Sequence, residues 1–444
     1  MNQTEYRKQL AAFDDIRPYE PEEMKQAFED LLNDRQFNVL MKGFAPWLPK
    51  GLRNALLRLA YRGVKTPLGF QKRFMKPIVK HIIRKHTDGC TFDSEEVKVN
   101  SEKFATALPD SSNENTTAVA NSTLYTLNSK LNERYTFVSN HRDIVLDSAF
   151  LDVMLIEANY PTTVEIGIGD NLLIYPWIRR LVRMNKAFTV RRGLSPKEML
   201  ASSQLMSRYI HFAVTQKHEN IWLAQREGRA KDSDDRTQEA VLKMLAMGGP
   251  IDDAVTVANS PLSTLHSSLK ELNIVPLTIS YEYDPCDYLK AREFQQKRDN
   301  PAFKKSKQDD LDNMKTGIFG YKGRVHYHCG TPINAWLDEL KDLPRGEFFA
   351  AVAQRMDREI HRGYRLFPCN YVAADLLQTH APNESKEPHT TFESHYTPAD
   401  KTQFETYLQG QLDKISLPQK DESFLRERIL IMYANPLKNF LAAQ

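Results

Sequence analysis

The chain has 444 residues, 41% hydrophobic and 26% charged, which is enough apolar material for a sizeable core and too much for a chain disordered by composition. No apolar run reaches the roughly 18 residues of a spanning helix, and the polar start lacks the basic-then-apolar pattern of a secretory signal. The net charge of +3 hides an asymmetry: residues 35–87 hold thirteen Lys/Arg and no Asp or Glu, leaving 47 basic against 57 acidic residues elsewhere.

Residues 1 to about 34 read as a polar helical lead-in punctuated by Pro18 and Pro21. In the basic arm, Leu52, Ala55, Leu56, Leu59 and Ala60 recur at helical spacing, with Arg53, Arg58, Arg62 and Lys65 on the opposite face. Phe70, Phe74, Ile78 and Ile82 repeat the pattern in a second helix, and Phe37, Phe44, Trp47 and Tyr61 add amphipathic aromatics. A basic amphipathic helix of this kind suits an anionic membrane surface, where each Lys or Arg contributes ~1 kcal/mol. RNA is the competing polyanion, but no RNA-binding motif accompanies the arm, so no nucleic-acid partner is expected.

The Ser/Thr/Asn-rich stretch 93–130 reads as a boundary loop that separates the arm, 1–92, from the remainder of the chain. Beyond it, strands alternate with helices. Tyr135 to Val138, Thr163 to Ile168, Ala187 to Val190, Ile221 to Ala224, Ile274 to Ser280 and Arg324 to Cys329 read as strands. Ile144 to Glu157, Leu172 to Arg183, the run opened by Ser195-Pro196 and Thr237 to Ala246 read as helices. This alternation predicts an α/β fold over 131–335, a mixed sheet flanked by helices, with a helical C-terminal extension over 336–444. In that extension Thr397-Pro398 opens one helix and Glu422 to Tyr433 forms another.

The segment Ser139-Asn140-His141-Arg142-Asp143 with Asp147 places a histidine after a strand and two carboxylates at the start of a helix. Such a histidine can take a proton near neutral pH while a carboxylate fixes its tautomer. Asp143 and Asp147 also fit as a helix cap and a first-turn acid, so either can be the partner. His141-Arg142-Asp143 imitates a kinase catalytic loop, but Ser148 stands where its Asn belongs and no glycine loop accompanies it. Four dispersed cysteines, Cys90, Cys286, Cys329 and Cys369, form no C-x-x-C pair, which argues against a cysteine-built zinc site. His326 and His328 alternate like a metal pair, but no third ligand is visible in the sequence, and they read as packing residues without a metal.

Four further blocks come in order: Lys186-Ala187-Phe188-Thr189-Val190-Arg191-Arg192, Glu227-Gly228-Arg229-Ala230-Lys231, Val275-Pro276-Leu277-Thr278-Ile279 and Gly323 to Ile333. With His141 to Asp147 they resemble the motifs of the glycerol-3-phosphate and lysophosphatidate acyltransferase superfamily: N-H-x-x-x-x-D, G-x-x-F-x-x-R, E-G-x-R and a V-P-x-x-I strand. The resemblance spans about 130–335. Three departures stand out: five residues separate His141 from Asp147 instead of four, Lys186 replaces a glycine, and Arg229 comes one place early, so that Lys231 shares its claim. The resemblance implies an O-acyltransferase in phospholipid biosynthesis, moving a fatty acyl group from acyl-CoA or acyl-ACP to glycerol-3-phosphate or 1-acylglycerol-3-phosphate. His141 would be the base and Asp147 or Asp143 its orienting acid, with Arg142, Arg192, Glu227, Gly228, Arg229 and Lys231 binding substrate. The acyl carrier is then a co-substrate and no cofactor is implied. The expected location is cytoplasmic, peripheral on the inner face of the cell membrane. The competing readings are an acyltransferase for another lipid head group and a non-catalytic membrane-associated protein on the same scaffold.

Overall fold

Short segments that alternate apolar side chains between two faces build the centre of the molecule in this computed structural model, which describes residues 2–94, 133–248, 260–380 and 391–444. The strands are β1 (Cys90–Ser94), β2 (Thr136–Ser139), β3 (Val164–Gly169), β4 (Ala187–Val190), β5 (Asn220–Ala224), β6 (Ile274–Tyr281) and β7 (Val325–Cys329). They form one seven-stranded mixed sheet in the order β1-β7-β6-β2-β5-β3-β4, with β6 and β7 antiparallel and every other neighbouring pair parallel. Pro276 is tolerated inside a central strand because β7 ends beside it, where the Pro276 carbonyl accepts only the Gly330 N–H at 2.9 Å.

The two faces of the sheet bury different helices. Phe137, Ile166, Trp222, Val275 and Ile279 face the helices Lys76–His86 and Leu146–Glu157. Val138, Ile221, Leu223 and Ile274 face Pro196–Thr215, Glu239–Leu245, Leu262–Glu271 and Arg345–Arg362. Each fully buried side chain of this size contributes about 1.5–3 kcal/mol. The predicted α/β class and the flanking helices are therefore present. Two boundaries differ from the sequence reading. Residue 92 falls inside β1, so the sheet begins before the stretch read as a boundary loop, most of which lies outside the described residues. Arg345–Arg362, assigned to the C-terminal extension, packs Phe348, Val352 and Met356 into the main core. The later helices Pro368–His380, Pro398–Asp413 and Glu422–Ala442 build a second cluster with Asp287–Asp299 around Phe404, Leu408, Ile429 and Tyr433.

The basic arm folds as Met24–Asn33, Arg35–Phe44, Lys50–Tyr61, Pro67–Phe70 and Lys76–His86. Phe28 stacks on Tyr61 at 3.9 Å between centroids, and Met184, Trp177 and Leu181 of the helix Pro176–Met184 close the cluster. Lys50–Tyr61 keeps its apolar stripe outward, and of the four cations read opposite that stripe Arg58, Arg62 and Lys65 are exposed while Arg53 turns inward. Arg53 is buried, its guanidinium held by the Asn38 carbonyl and side chain at 3.2 Å, whereas Leu52, Leu56 and Leu59 are 53%, 48% and 62% exposed. Phe70 is buried and Phe74 half-buried, so neither joins that outer face.

Between Pro67–Phe70 and Lys76–His86 lies a wide turn, Gln71–Met75. Pro77, which has no N–H for the Arg73 carbonyl, comes two residues after it and favours the looser winding. The turn points Gln71 inward: its amide donates to Asp152 at 2.9 Å and to the Asn185 carbonyl at 3.3 Å, and accepts from the Thr163 hydroxyl.

Candidate active site

Parallel strands β2, β5, β3 and β4 end along one edge of the sheet, and residues just past those ends line a cleft of about 920 Å³. Crevices at the carboxyl ends of parallel strands are where α/β proteins hold ligands. At the end of β2, Asn140 fixes how the chain leaves the sheet. Its amide donates to the Ile279 carbonyl at 2.9 Å and accepts the Ile279 N–H at 2.7 Å, imitating a ladder pair with β6. His141 then turns into the cleft, edge-on to Trp222 at 5.7 Å.

Asp147 is the partner of His141. Its Oδ2 accepts from His141 Nδ1 at 2.8 Å and from the Arg142 N–H at 2.7 Å. Its Oδ1 accepts from the Asp143 N–H at 3.0 Å and from the Tyr281 hydroxyl at 3.2 Å. The carboxylate is buried, and the Tyr327 hydroxyl donates to the Asp147 carbonyl at 2.8 Å. With Nδ1–H committed to a carboxylate, Nε2 keeps its lone pair for a proton from the cleft. The additional residue between His141 and Asp147 is taken up in the loop before Leu146–Glu157 begins. Asp143 instead caps that helix, accepting from the N–H groups of Val145 and Leu146, both at 2.8 Å. Burial, with Asp147 beside it, pushes the Asp143 carboxyl up.

The cleft has two kinds of wall. Ile144, Ile168, Val190, Met206, Leu223 and Met244 supply an apolar side, and Arg192, Arg226, Arg229, Lys231, Lys290 and Lys305 a cationic one. Arg192 pairs with Glu227 at 2.5 Å, and both reach solvent. Gly228 is glycine for a backbone reason, because its φ of 71° lies in the left-handed region. Arg229 donates to Asn313 Oδ1 at 2.9 Å, while its Nη1 is buried without a hydrogen-bonded partner among the described residues; the weakly accepting Cys286 sulfur lies nearby. A buried guanidinium with an unsatisfied donor lining a cleft is suited to an anionic ligand.

No family model and no curated protein matches this chain.

Of the residues singled out in the sequence, His141, Arg192, Glu227, Gly228, Arg229 and Lys231 meet at this one cleft, with Asp147 behind His141. Arg142 does not line it. That residue is buried on the other side of the loop, paired with Asp235 at 3.2 Å and stacked over Tyr364, so the expectation that it binds substrate is replaced by a packing role. Lys231 is engaged by Glu293, which leaves Arg229 with the stronger claim on an anion.

Lys186, where the resemblance has glycine, has φ 64°, a conformation glycine adopts without strain. Its ammonium reaches Glu219 at 2.7 Å and Thr162 at 2.8 Å, which holds a buried cation in place. The sequence reading also missed Asp93. On β1 it faces His328 and supplies the third donor that the pair His326 and His328 lacks in the linear sequence. The signal was the acid at the end of a short Cys-Thr-Phe run, which is too short to announce a strand.

Proposed function

We propose that the chain is a membrane-surface O-acyltransferase with a glycerolipid-acyltransferase-like fold. It moves an acyl group from an acyl thioester to the hydroxyl of glycerol-3-phosphate or 1-acylglycerol-3-phosphate. The observation that carries the reading is the His141–Asp147 pair at the mouth of a cleft with one apolar and one cationic wall. An alcohol of high pKa needs a base to attack a thioester, and His141 Nε2 takes that proton as the hydroxyl oxygen bonds to the acyl carbon. Asp147 stabilises the resulting imidazolium, which then protonates the departing thiolate. The acyl chain suits the apolar wall, and the acceptor phosphate suits Arg192 and Arg229, with Glu227 holding Arg192 in place.

The arm supports a membrane surface as the place of work. Val39, Trp47, Leu52, Leu56, Leu59 and Ile78 are exposed, and Arg35, Lys42, Lys50, Arg62 and Lys65 are exposed among them. Among the described residues no helix is long and apolar enough to cross a membrane. Incubation of purified protein with labelled acyl-CoA or acyl-ACP and a panel of glycerol-phosphate acceptors tests the reaction. His141→Ala should abolish transfer while leaving the circular-dichroism spectrum and melting temperature unchanged. Normal turnover by a folded His141→Ala protein would refute the reading.

A further inference from the structure

At the far edge of the sheet from the cleft, the parallel pairing of β1 with β7 sets Asp93 opposite His328 and Thr91 opposite His326. Side chains two apart on a strand share a face, so Thr91, Asp93, His326 and His328 gather on one side. Asp93 Oδ1 lies 2.5 Å from His328 Nδ1 and 3.4 Å from His326 Nε2, and one ligand atom from each of the three residues falls within 4.8 Å of the others.

Hydrogen bonding fixes the tautomer of His326. Its Nδ1 meets the Thr91 hydroxyl at 2.7 Å, and that hydroxyl donates onward to the Val325 carbonyl at 3.4 Å. The hydroxyl therefore accepts from Nδ1–H, which leaves the Nε2 lone pair of neutral His326 directed at a carboxylate oxygen. Two such atoms facing each other at 3.4 Å have room for a positive charge between them, supplied by a proton on Nε2 or, in its place, by a metal ion. A ring nitrogen bound to a second polar group, with the other nitrogen free to ligate, is the usual arrangement of a metal-binding histidine. His328 is also held: a Cβ at Gly363 would come within 2.5 Å of its Cδ2, so the chain after Arg345–Arg362 fits against the ring only as glycine. Gly363 caps that helix, whose negative end is therefore nearby.

We propose that Asp93, His326 and His328 form a binding site for a divalent transition-metal cation, Zn²⁺ in preference. Two imidazoles and one carboxylate are borderline donors that suit Zn²⁺ and are poorly matched to Mg²⁺ or Ca²⁺, which favour all-oxygen shells. Bond lengths of about 2.0–2.2 Å in a tetrahedral site put donors roughly 3.3 Å apart. His326 and Asp93 already have that spacing, at 3.4 Å, and His328 needs to move away from Asp93 by less than ~1 Å of side-chain rotation. Three protein donors leave coordination positions for water. Because two ligands lie on β7 and one on β1, the ion clips the edge strand to the sheet. The site shares no residue with the cleft, so it stands or falls independently of the acyltransferase reading.

The test uses the full chain stripped with a chelator and then titrated with Zn²⁺ by calorimetry and with Co²⁺ by visible absorption. One equivalent should bind saturably, Co²⁺ should develop the intense d–d bands of a low-coordinate site, and Zn²⁺ should raise the melting temperature. Asp93→Asn, His326→Gln and His328→Gln should each weaken binding by about 10–100-fold. Failure of the unmodified chain to bind either ion would overturn the proposal, and so would one-equivalent binding retained in the folded His326→Gln/His328→Gln double variant.

Discussion

Asp147→Asn keeps the size of the side chain and removes its charge. The carboxylate accepts four hydrogen bonds, two of them from the backbone N–H groups of Arg142 and Asp143 on opposite oxygens. An amide must turn its NH₂ toward one of those N–H groups whichever way it is placed. One buried donor is then unsatisfied, a loss of about 1–3 kcal/mol in stability. The effect on rate is larger. With the ring nitrogen 2.8 Å from the carboxylate, the charges of imidazolium and Asp147 sit about 4 Å apart, worth about 4 kcal/mol at an effective dielectric of 20. Loss of that attraction alone should lower kcat about a thousandfold. The orientation that donates the amide N–H to Nδ1 also imposes the wrong tautomer and takes the loss toward ~10⁴. Asp143→Asn is the control. Both of its helix-capping bonds fall on a single oxygen, Oδ1, which an amide preserves, so the cost should be ~1 kcal/mol or less and kcat should stay within a few-fold. The assay is steady-state acyl transfer by both variants, with urea unfolding to measure stability. A folded Asp147→Asn enzyme within tenfold of the parent, or an Asp143→Asn enzyme that is the slower of the two, would refute the assignment.

Arg192→Ala and Arg229→Lys should each raise the acceptor KM about tenfold, the equivalent of ~1.4 kcal/mol, with kcat and donor KM little changed, because phosphate contacts persist from ground state to transition state. A rise in donor KM instead would assign these side chains to the carrier's phosphates. In flotation assays with the full chain, replacement of Leu52, Leu56 and Leu59 by Glu should abolish binding to anionic vesicles, and high salt should weaken the parent's binding. Equal binding of the parent to neutral vesicles would remove the electrostatic part of the argument. Asp152 gives a pH signature: burial pushes its carboxyl up to about 7 against the pull of Lys186, so the folded state holds a proton that the unfolded chain releases near pH 4. Its contribution is fully present below that unfolded value and is lost as pH rises toward 7, at up to about 1.4 kcal/mol per pH unit. Asp152→Asn should flatten that slope in urea unfolding at pH 5, 6 and 7, and parallel slopes would show that Asp152 does not carry it.

The sheet was legible where period-two apolar runs are long or flanked by turn residues, as in β6, and the Ser195-Pro196 pair marked the start of Pro196–Thr215, where Ser195 and Glu198 form a capping box. β1 was not legible, because Cys90-Thr91-Phe92 is short and gains its meaning only from a partner strand more than two hundred residues away. The helices Asp287–Asp299 and Lys307–Phe319 were missed because polar residues fill much of their buried surface: Lys290, Glu293 and Gln295 in the first and Asn313 in the second lie inside. In the site, residue order along the chain was enough to pick out His141 and the Glu227–Arg229 segment. It could not separate Asp143 from Asp147, since both lie in the first turn region of one helix and only the path of the intervening loop decides which reaches the ring. Nor could it foresee Arg142, whose partner Asp235 is distant in sequence. In the arm the pattern placed Leu52, Leu56 and Leu59 on one outward face. It could not show that Arg53, Phe70 and Phe74 turn toward the packed side, because spacing states which residues share a face and not which neighbours cover it.

The buried Gln71 has a consequence for how force and position pass through the molecule. Its amide joins the arm to Asp152 on the helix that carries Asp147 in its first turn, to Thr163 beside β3 and to the Asn185 carbonyl before β4. The arm is thus a keel, not a tether. If its leucines sink into a bilayer, the height and tilt of the cleft above the lipid plane are set by that joint. Lipid acceptors would then meet His141 at one fixed depth, and a change in bilayer thickness or packing would register directly as a change in which substrates can reach the base.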